Sequence, residues 1–520
     1  MNAQSPRTLF ELSAPTPYQR MDNQSHEPRL KKPKRDQFIF QTVNVERLVS
    51  DDHPVRAIWE FVERLNLSLF YEAIQAVEGT AGRSAIDPQT LISLWIYAYS
   101  RGISSAREIS TLCEYDPAFG WLTGMQIINH HTLSDFRIEH KEALDELFAE
   151  VLGLLSAENL ITLETVMHDG TKIRASAGVD SFRREDKIRA HLEMAEELIL
   201  RMGNPLEQPS SQGIQKAGQR AAHDRKEKLE LALKELEKVR DQKPNQKARQ
   251  EASVSQTDPQ ARIMKQADGG YRPSYNVQIS TDHAHGLIVG IKPTQETNDC
   301  HQLLPAIDTI EHNTGHYPKT LVADGGYTHR ENILAMDKKG VDFMGSLPDC
   351  SNIAASQLQK RGIDPKFNHD AFRHDQTQNV LICPAGKFLE HKGTYEKNIG
   401  VVESRYQARA ADCTACSFRD QCCPRSFSRG RSVAHRLNHP VVESFILKMH
   451  TPQAKEIYRK RGPTAEFPNA WIKEKMGLRQ FRLRGILKVG MECLWAALTY
   501  NIQRWIQLIW RTPKASGAIA

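Results

Sequence analysis

The spacing of apolar residues changes between helical and strand periods along this chain, and the order of those changes constrains the fold most strongly. Residues 40–156 are predicted to form short helices, as in HPVRAIWEFVERL, whose apolar residues recur at helical spacing. Strand-like segments follow at 160–175, 275–280 and 286–292, and the last two are expected to pair as a hairpin. The order predicts a mixed α/β fold that begins with an all-helical region.

The helical region carries clear start signals. Asp87-Pro88 predicts a helix start, since proline is favoured in a first helical turn, and Ser104-Ser105 predicts the cap of the next helix. Short helices joined by tight turns are typical of helix-turn-helix modules that bind DNA, and also of ordinary bundles. Residues 37–158 are therefore a candidate DNA-binding domain, with a plain helical bundle as the alternative.

Two aspartates lie within or directly after the strand-like segments. The pattern indicates two short strands around a turn at Asp169-Gly170, and a later strand, LVA, ends at Asp324. Strand, strand, strand, helix, strand is the order of an RNase H-like mixed sheet. Its first and fourth strands are neighbours, so the carboxylates of Asp169 and Asp324 are expected to meet.

A third acidic residue, Glu466, lies in YRKRGPTAEFPNAWIK and is predicted to open a helix. An aspartate before glycine is commonly only a turn residue. Three converging carboxylates, however, can hold two Mg²⁺ or Mn²⁺ ions about 3.5–4 Å apart, an arrangement that serves phosphoryl transfer. Glu456, Glu474 and Glu492 are rival third carboxylates, whereas Asp258 and Asp299 are interpreted as turn or cap residues.

Positive charge is concentrated near the third acid. Residues 458–511 hold eleven Lys and Arg against three Glu, although the whole chain carries only +6. A local excess of this kind beside a carboxylate site indicates a polyanionic substrate such as nucleic acid. A solvated helix face is the alternative explanation.

Several segments lie outside this core pattern. Residues 1–36 are predicted to be a disordered basic arm and 511–520 a disordered tail, while 180–250 have the helical spacing of a hairpin that interrupts the sheet. The longest apolar stretches are too short to span a bilayer, and the N-terminus lacks a signal pattern. We expect a cytoplasmic protein with no membrane partner.

A second insertion, at 350–450, is rich in cysteine. Cys383 begins CPAG, and Cys413, Cys416, Cys422 and Cys423 follow in CTACSFRDQCC. A CxxC pair with two further sulfurs has the composition of a tetrahedral zinc site. Our candidate ligands for structural Zn²⁺ are Cys383, Cys413, Cys416 and Cys422. The choice between Cys422 and Cys423 as the fourth ligand stays open. The alternative to a zinc site is a set of unligated thiols.

These motifs together resemble the DDE transposases of bacterial insertion sequences, in the branch with a Tyr-Arg-Glu-Lys signature and an N-terminal helical domain. Asp169 matches the family's DGT motif and Asp324 its DxGY motif. The signature is represented by Tyr458, Arg461, Glu466 and Lys473, with four residues between Arg and Glu where the widespread form has three. Asn469-Ala470 stand where the family often has Phe-Gly.

The resemblance implies an RNase H-like catalytic domain over 159–510 that cleaves DNA at the terminal inverted repeats of an insertion sequence and joins the ends to target DNA. Asp169, Asp324 and Glu466 would be the catalytic, Mg²⁺-binding residues. Arg461 and Lys473 would bind DNA phosphates, and Tyr458 would stack on a base or sugar unless it is simply packed. A homodimer in the synaptic complex and association with the bacterial nucleoid when DNA is bound are further expectations.

Two other functions remain compatible with the sequence. One is a transposase-derived protein that binds DNA without catalysis. The other is a structure-selective nuclease on the same fold, which would cut DNA without joining it.

Overall fold

The computed structural model of the protein describes residues 33–36, 38, 42–76, 84–202, 212–346, 356, 358–398, 401–424 and 429–511. Residues 1–44 and 45–520 form two separate compact units, and every element named below belongs to the second. Most of the arm predicted at 1–36, and all but the first residue of the tail predicted at 511–520, fall outside the described residues.

The second unit begins with helices, as the apolar spacing predicted. Asp87 caps one of them by accepting the Gln89 N–H, and Ser105 caps the next by accepting the Glu108 N–H. Both predicted helix starts are therefore confirmed. The helices in the described residues of this region are α1 (Pro54–Glu63), α2 (Ser68–Glu72), α3 (Pro88–Ser100), α4 (Ala106–Tyr115), α5 (Pro117–Thr123), α6 (His130–Glu139) and α7 (Lys141–Ala157).

A mixed six-stranded sheet follows. Its central strand, β1, pairs antiparallel with β5 and parallel with β7. The strand order is β4-β5-β1-β7-β8, and β6 also pairs with β5. The predicted hairpin of 275–280 with 286–292 is present as the β5–β6 pair. The strands are β1 (Thr165–Arg174), β4 (Arg262–Lys265), β5 (Tyr271–Asp282), β6 (Ile288–Thr294), β7 (Thr320–Ala323) and β8 (Asp342–Gly345).

The turn predicted at Asp169-Gly170 is wrong. β1 runs without interruption through both residues, and Asp169 pairs with Ile279 while Gly170 pairs with Gln278. The glycine serves another purpose, because a Cβ at this position would lie 2.7 Å from Asp299 Oδ1 and 2.9 Å from the Tyr327 hydroxyl. A dipeptide typical of turns thus marks a close approach of side chains to a strand backbone.

Helices cover the sheet and join it to the helical region. The most buried of them, α18, places Trp495 6.4 Å from Trp95 and Trp505 4.8 Å from Phe61, measured between ring centroids. One apolar core therefore extends from α1 to α18. No helix in the described part of the chain has the length and apolar character needed to span a membrane. The helices are α11 (Leu303–Thr314), α12 (Arg330–Lys338), α15 (Pro440–His450), α16 (Pro452–Arg459), α17 (Arg461–Glu474) and α18 (Ile486–Trp505).

A pair of long helices separates β1 from β5 in the chain and has its own small core, which includes Ile188 and Leu236. At its base Glu235 is fully buried and pairs with Arg262 of β4, while Gln295 donates to the same carboxylate at 3.0 Å. The elements are β2 (Phe182–Arg183), α8 (Glu185–Met202), α9 (Gln212–Asp241), α10 (Gln246–Gln250) and β3 (Val254–Ser255).

A second, five-stranded sheet occupies the cysteine-rich segment and is wholly antiparallel, in the order β13-β12-β11-β10-β9. Its core is small and centres on Leu381, Leu389 and Tyr406. The elements are β9 (Arg373–Asp375), β10 (Val380–Ile382), β11 (Phe388–Asn398), β12 (Val401–Ala408), α13 (Ala410–Thr414), α14 (Arg419–Cys422) and β13 (Ser432–Asn438).

Candidate active site

Asp169 lies at the middle of the central strand and faces helix α17. Its Oδ2 accepts a hydrogen bond from Asn469 Nδ2 at 3.2 Å, and its Oδ1 lies 3.8 Å from Arg461 Nη1. Only 19% of the side chain is exposed. The carboxylate is therefore held by two side chains of one helix and is largely removed from water.

This environment disfavours the charged carboxylate. Burial, the largest cause, raises the pKa of Asp169 to about 6, and the Arg461 guanidinium opposes part of that rise. The carboxylates of Asp324 and Asp299 add to it by like-charge repulsion. A cation placed among these acids would stabilise the charged carboxylate against both burial and like-charge repulsion.

Asp324 stands at the carboxyl end of β7, the parallel neighbour of β1. It begins a short 3₁₀ turn, Gly325–Tyr327, by accepting the Gly326 N–H at 2.8 Å. Its negative charge acts on Asp169, so the structure brings the two predicted aspartates together. Their meeting follows from the pairing of two strands that are far apart in the chain.

Glu466 lies in the second turn of α17 and is exposed. The helix begins at Arg461, so the glutamate does not open it, contrary to the expectation from the sequence. In the described part of the chain, no three His, Cys, Asp or Glu side chains are arranged to hold a metal ion. The structure therefore groups Asp169 with Asp324 and leaves Glu466 on the adjacent helix.

The rival third acids have different surroundings. Glu474 pairs with Arg479 at 2.5 Å, and Glu492 is buried and accepts the N–H groups of Arg482 and Leu483. Burial raises the pKa of Glu492. Glu456 is exposed on the preceding helix α16. Two of the three rivals are thus already engaged in contacts that stabilise the fold.

The predicted DNA-contacting side chains lie around α17. Arg461 reaches Asp169, and its guanidinium carbon lies 5.9 Å from the centroid of the half-buried Tyr458 ring. Lys473 donates to Thr171 Oγ1 on β1, and burial lowers its pKa. Both cations therefore adjoin the strand that carries Asp169.

The opposite face of β1 holds a polar network that the sequence analysis missed. Asp299 Oδ1 accepts from Asn276 Nδ2 at 2.7 Å and from Gln278 Nε2 at 2.9 Å. The Tyr327 hydroxyl donates to Gln278 Oε1 at 2.6 Å. Asp299 is a turn residue, as predicted, because its carbonyl accepts the Gln302 N–H at 3.0 Å, and its carboxylate is also a partner within the site. Polar residues at alternate positions of the buried segment YNVQIS could have signalled it.

His168 belongs to the same network. Its Nδ1 lies 2.9 Å from Ser280 Oγ and its Nε2 lies 3.0 Å from Gln278 Oε1. Burial lowers its pKa to about 4, so the ring is neutral and both nitrogens are used in hydrogen bonds. His168 is therefore a structural residue on the face of β1 opposite Asp169.

Asp258 opens a turn, as the sequence predicted, since its carbonyl accepts the Ala261 N–H at 3.1 Å. It is buried, and its Oδ1 accepts from the Tyr275 hydroxyl at 2.8 Å and from the Gly485 N–H at 3.1 Å. It ties the loop before α18 to the central sheet. This contact stabilises the fold and lies outside the candidate active site.

The predicted zinc ligands lie elsewhere, in the second sheet. Cys383, Cys413, Cys416 and Cys422 line one cavity, together with Cys423. The structure therefore gathers sulfurs from three separate stretches of the chain. As they stand, these residues form no metal-binding group among the described side chains.

Two segments of the chain match known protein families. Residues 43–139 match a transposase domain (DUF772), and residues 382–506 match a transposase DDE domain. The second match includes Glu466 and the cysteine cluster, whereas Asp169 and Asp324 lie outside both. No curated protein and no solved structure matches the chain. The carboxylate site and the two family matches together support a DDE transposase.

Proposed function

We propose that this protein cleaves DNA at the ends of an insertion sequence and transfers the strands into target DNA. The observation that carries the proposal is the position of Asp169 on β1 and of Asp324 directly after its parallel neighbour β7, next to the helix with Glu466. The sheet supports an RNase H-like core, because β6, β5 and β1 are antiparallel and β1, β7 and β8 are parallel.

The acids fit a pair of hard divalent cations. The only ligand atoms here are carboxylate oxygens, which Mg²⁺ and Mn²⁺ prefer, from Asp169, Asp324 and Glu466. Burial disfavours the charged form of Asp169, and a bound cation would offset that effect. When bound, two such ions activate the attacking water or 3′-hydroxyl and stabilise the leaving oxygen. A turn of the exposed Glu466 side chain toward the two aspartates would complete the set.

The protein's own side chains position these groups. Asn469 and Arg461 fix the orientation of the Asp169 carboxylate, and the network of Gln278 and Asp299 supports the strand from behind. Lys473 and Arg461 would bind backbone phosphates, since both adjoin β1 and belong to the basic segment 458–511. Tyr458 would pack against sugar or base.

Substitution of the central acid tests the proposal. Asp169→Ala should abolish Mg²⁺-dependent cleavage of DNA that carries the inverted repeats, and leave the affinity for that DNA within about twofold. Asp241→Ala, an exposed acid at the end of α9, is the control and should cleave normally. Cleavage that persists in Asp169→Ala would overturn the assignment.

The third acid needs its own pair of variants. Glu466→Gln should lose cleavage, whereas Glu474→Gln, on the same helix but paired with Arg479, should retain it. The reverse result would identify Glu474 as the third ligand. Binding without cleavage by the unaltered protein would favour the inactive descendant, and cleavage without strand transfer would favour a structure-selective nuclease.

We further propose that the helical region 37–158 contributes DNA contacts and that two copies act together in the bacterial cytoplasm, at the nucleoid. Two transposon ends must be joined in one event, which needs at least a dimer on DNA. Light scattering with and without end-containing DNA tests this, and a complex with one protein copy per pair of ends would contradict it.

A further inference from the structure

The cysteine-rich subdomain, residues 356–438, has too small a core for its length. Among the described residues of this range, the buried apolar side chains are Ile363, Phe367, Phe372, Leu381, Leu389, Tyr406, Ala408, Cys423 and Val433. Small domains with few buried groups usually need a disulfide or a metal ion to stay folded. The cysteine sulfur atoms of this subdomain could form a disulfide or bind a metal ion.

The cysteines come from three stretches and meet at one cavity. Cys383 follows β10, Cys413 and Cys416 lie in and just after α13, and Cys422 ends α14. The cavity has a volume of about 30 Å³, which is large enough for a single ion or water but too small for an organic ligand. The site therefore has the size and the composition of an ion site.

Backbone groups already point at two of the sulfurs. The Lys387 N–H donates to Cys383 Sγ at 3.3 Å, and the Arg431 N–H donates to Cys413 Sγ at 3.3 Å. Hydrogen bonds to sulfur favour the thiolate, which is the form that binds metal. The turn at Cys383 closes through Gly386, whose φ of +74° suits glycine.

A buried cation beside the cysteines, Arg431, has no carboxylate partner among the residues that the structure describes. Arg431 is 5% exposed and lines the same cavity. Its Nη2 donates to the Phe367 carbonyl at 3.0 Å, but its Nε and Nη1 have no hydrogen-bond partner among the described residues. No carboxylate in that part of the chain forms an ion pair with it. Burying an uncompensated guanidinium is costly, so an anionic group is expected in this cavity.

We propose that Cys383, Cys413, Cys416 and Cys422 bind one Zn²⁺ ion that stabilises this subdomain, with Arg431 as the counter-charge. Four thiolates and Zn²⁺ carry a net charge of −2, which the buried guanidinium partly neutralises. Ligation requires the sulfurs to turn inward to Zn–S distances of about 2.3 Å. Each cysteine has a single side-chain torsion through which it can do so.

Cys422 is the better fourth ligand. It ends α14 at the cavity and is partly exposed, whereas Cys423 is buried. We therefore assign Cys422 as the fourth ligand, and substitution of each of the two adjacent cysteines tests that choice.

Metal content of the full-length protein tests the proposal. The protein purified under reducing conditions should contain about one zinc per chain by atomic emission. Cys416→Ser and Cys422→Ser should lose it, whereas Cys423→Ser, Cys300→Ser and Asp169→Ala should keep it. Loss of zinc from Cys423→Ser together with its retention in Cys422→Ser would overturn the ligand set.

A second measurement avoids variants that fail to fold. Replacement of the metal by Co²⁺ in the unaltered protein should give visible absorption typical of tetrahedral thiolate ligation. Chelation of the metal should lower the unfolding temperature, and Arg431→Met should weaken zinc retention more than Arg419→Met, at the same cavity. Absence of metal, with all of these thiols free or joined in disulfides, would overturn the proposal.

Discussion

Gly170 shows how a single missing atom shapes the candidate active site. It lies directly after Asp169 on β1, and the space that a Cβ would need is filled by Asp299, Gln278 and Tyr327. These three side chains are hydrogen-bonded to one another and have little freedom to retreat. The motif Asp-Gly thus combines a carboxylate on one face of the strand with a close polar contact on the other.

Gly170→Ala should therefore disrupt both activity and stability. We expect cleavage to be lost and the free energy of unfolding to fall by about 1–3 kcal/mol, the usual cost of overpacking. Gly153→Ala on α7 is the control, since a Cβ there meets no atom within 4 Å. Denaturant unfolding and a cleavage assay measure the two effects. Normal cleavage by Gly170→Ala would mean that the network readily moves aside.

The raised pKa of Asp169 makes stability depend on pH. Since its folded pKa of about 6 lies above the usual 3.8, the folded state binds the proton more tightly than the unfolded state. This contribution is present below the usual pKa and is lost as the pH rises to about 6.

Asp169→Asn should consequently be more stable than the unaltered protein at pH 7 without divalent metal, by about 1–3 kcal/mol. The advantage should shrink as the pH falls toward 4, and Mg²⁺ should stabilise only the protein that keeps the carboxylate. Unfolding with chelator at both pH values measures this, with exposed Asp241→Asn as the control. Equal stability at pH 7 would contradict the burial argument.

The helical hairpin of α8 and α9 is attached to the main sheet through a buried ion pair. Glu235 has no exposed side-chain surface and contacts Arg262, whose side chain is 13% exposed. Removing one member of such a pair leaves the other buried without compensation, which is more costly than losing a surface ion pair.

Glu235→Ala should lower the free energy of unfolding by about 3–5 kcal/mol and expose the hairpin to proteases. Glu237→Ala, two residues on and exposed on the same helix, should change it by less than about 0.5 kcal/mol. Limited proteolysis and denaturant unfolding distinguish the two. Similar behaviour of both variants would show that apolar contacts alone dock the hairpin.

Elements whose signals are local could be predicted from the sequence, and contacts between distant elements could not. The caps Asp87 and Ser105, the hairpin of β5 and β6, and the strand ending at Asp324 all depend on residues close together in the chain. The roles of Asp299 and Asn469 depend on side chains that only the folded sheet brings near. Asn469 illustrates this, because a departure from the resembling family supplies a hydrogen bond to Asp169.

At the scale of the whole molecule, the helical region and the mixed sheet share one apolar core. Helix α18 lies between them, with Trp495 against Trp95 and Asn501 hydrogen-bonded to the backbone of Ile288 on β6. The two regions should therefore unfold together, although the sequence suggests separate domains.

Trp495→Ala should lower the free energy of unfolding by about 3–5 kcal/mol and weaken both regions at once. Leu487→Ala, at an exposed site on the same helix, should have little effect. Hydrogen exchange would report protection in α3 and β6 separately. Loss of protection in only one of them would show that the shared core does not couple the two regions.

The position of α18 also bears on what shortened copies of the gene can make. A frameshift or stop codon before Ile486 would remove this helix and leave the apolar faces of α3 and α7 uncovered. Such a product should be degraded by cellular quality control instead of persisting as a folded protein. Full-length and truncated copies of the gene in one cell should then differ in the amount of protein that they yield.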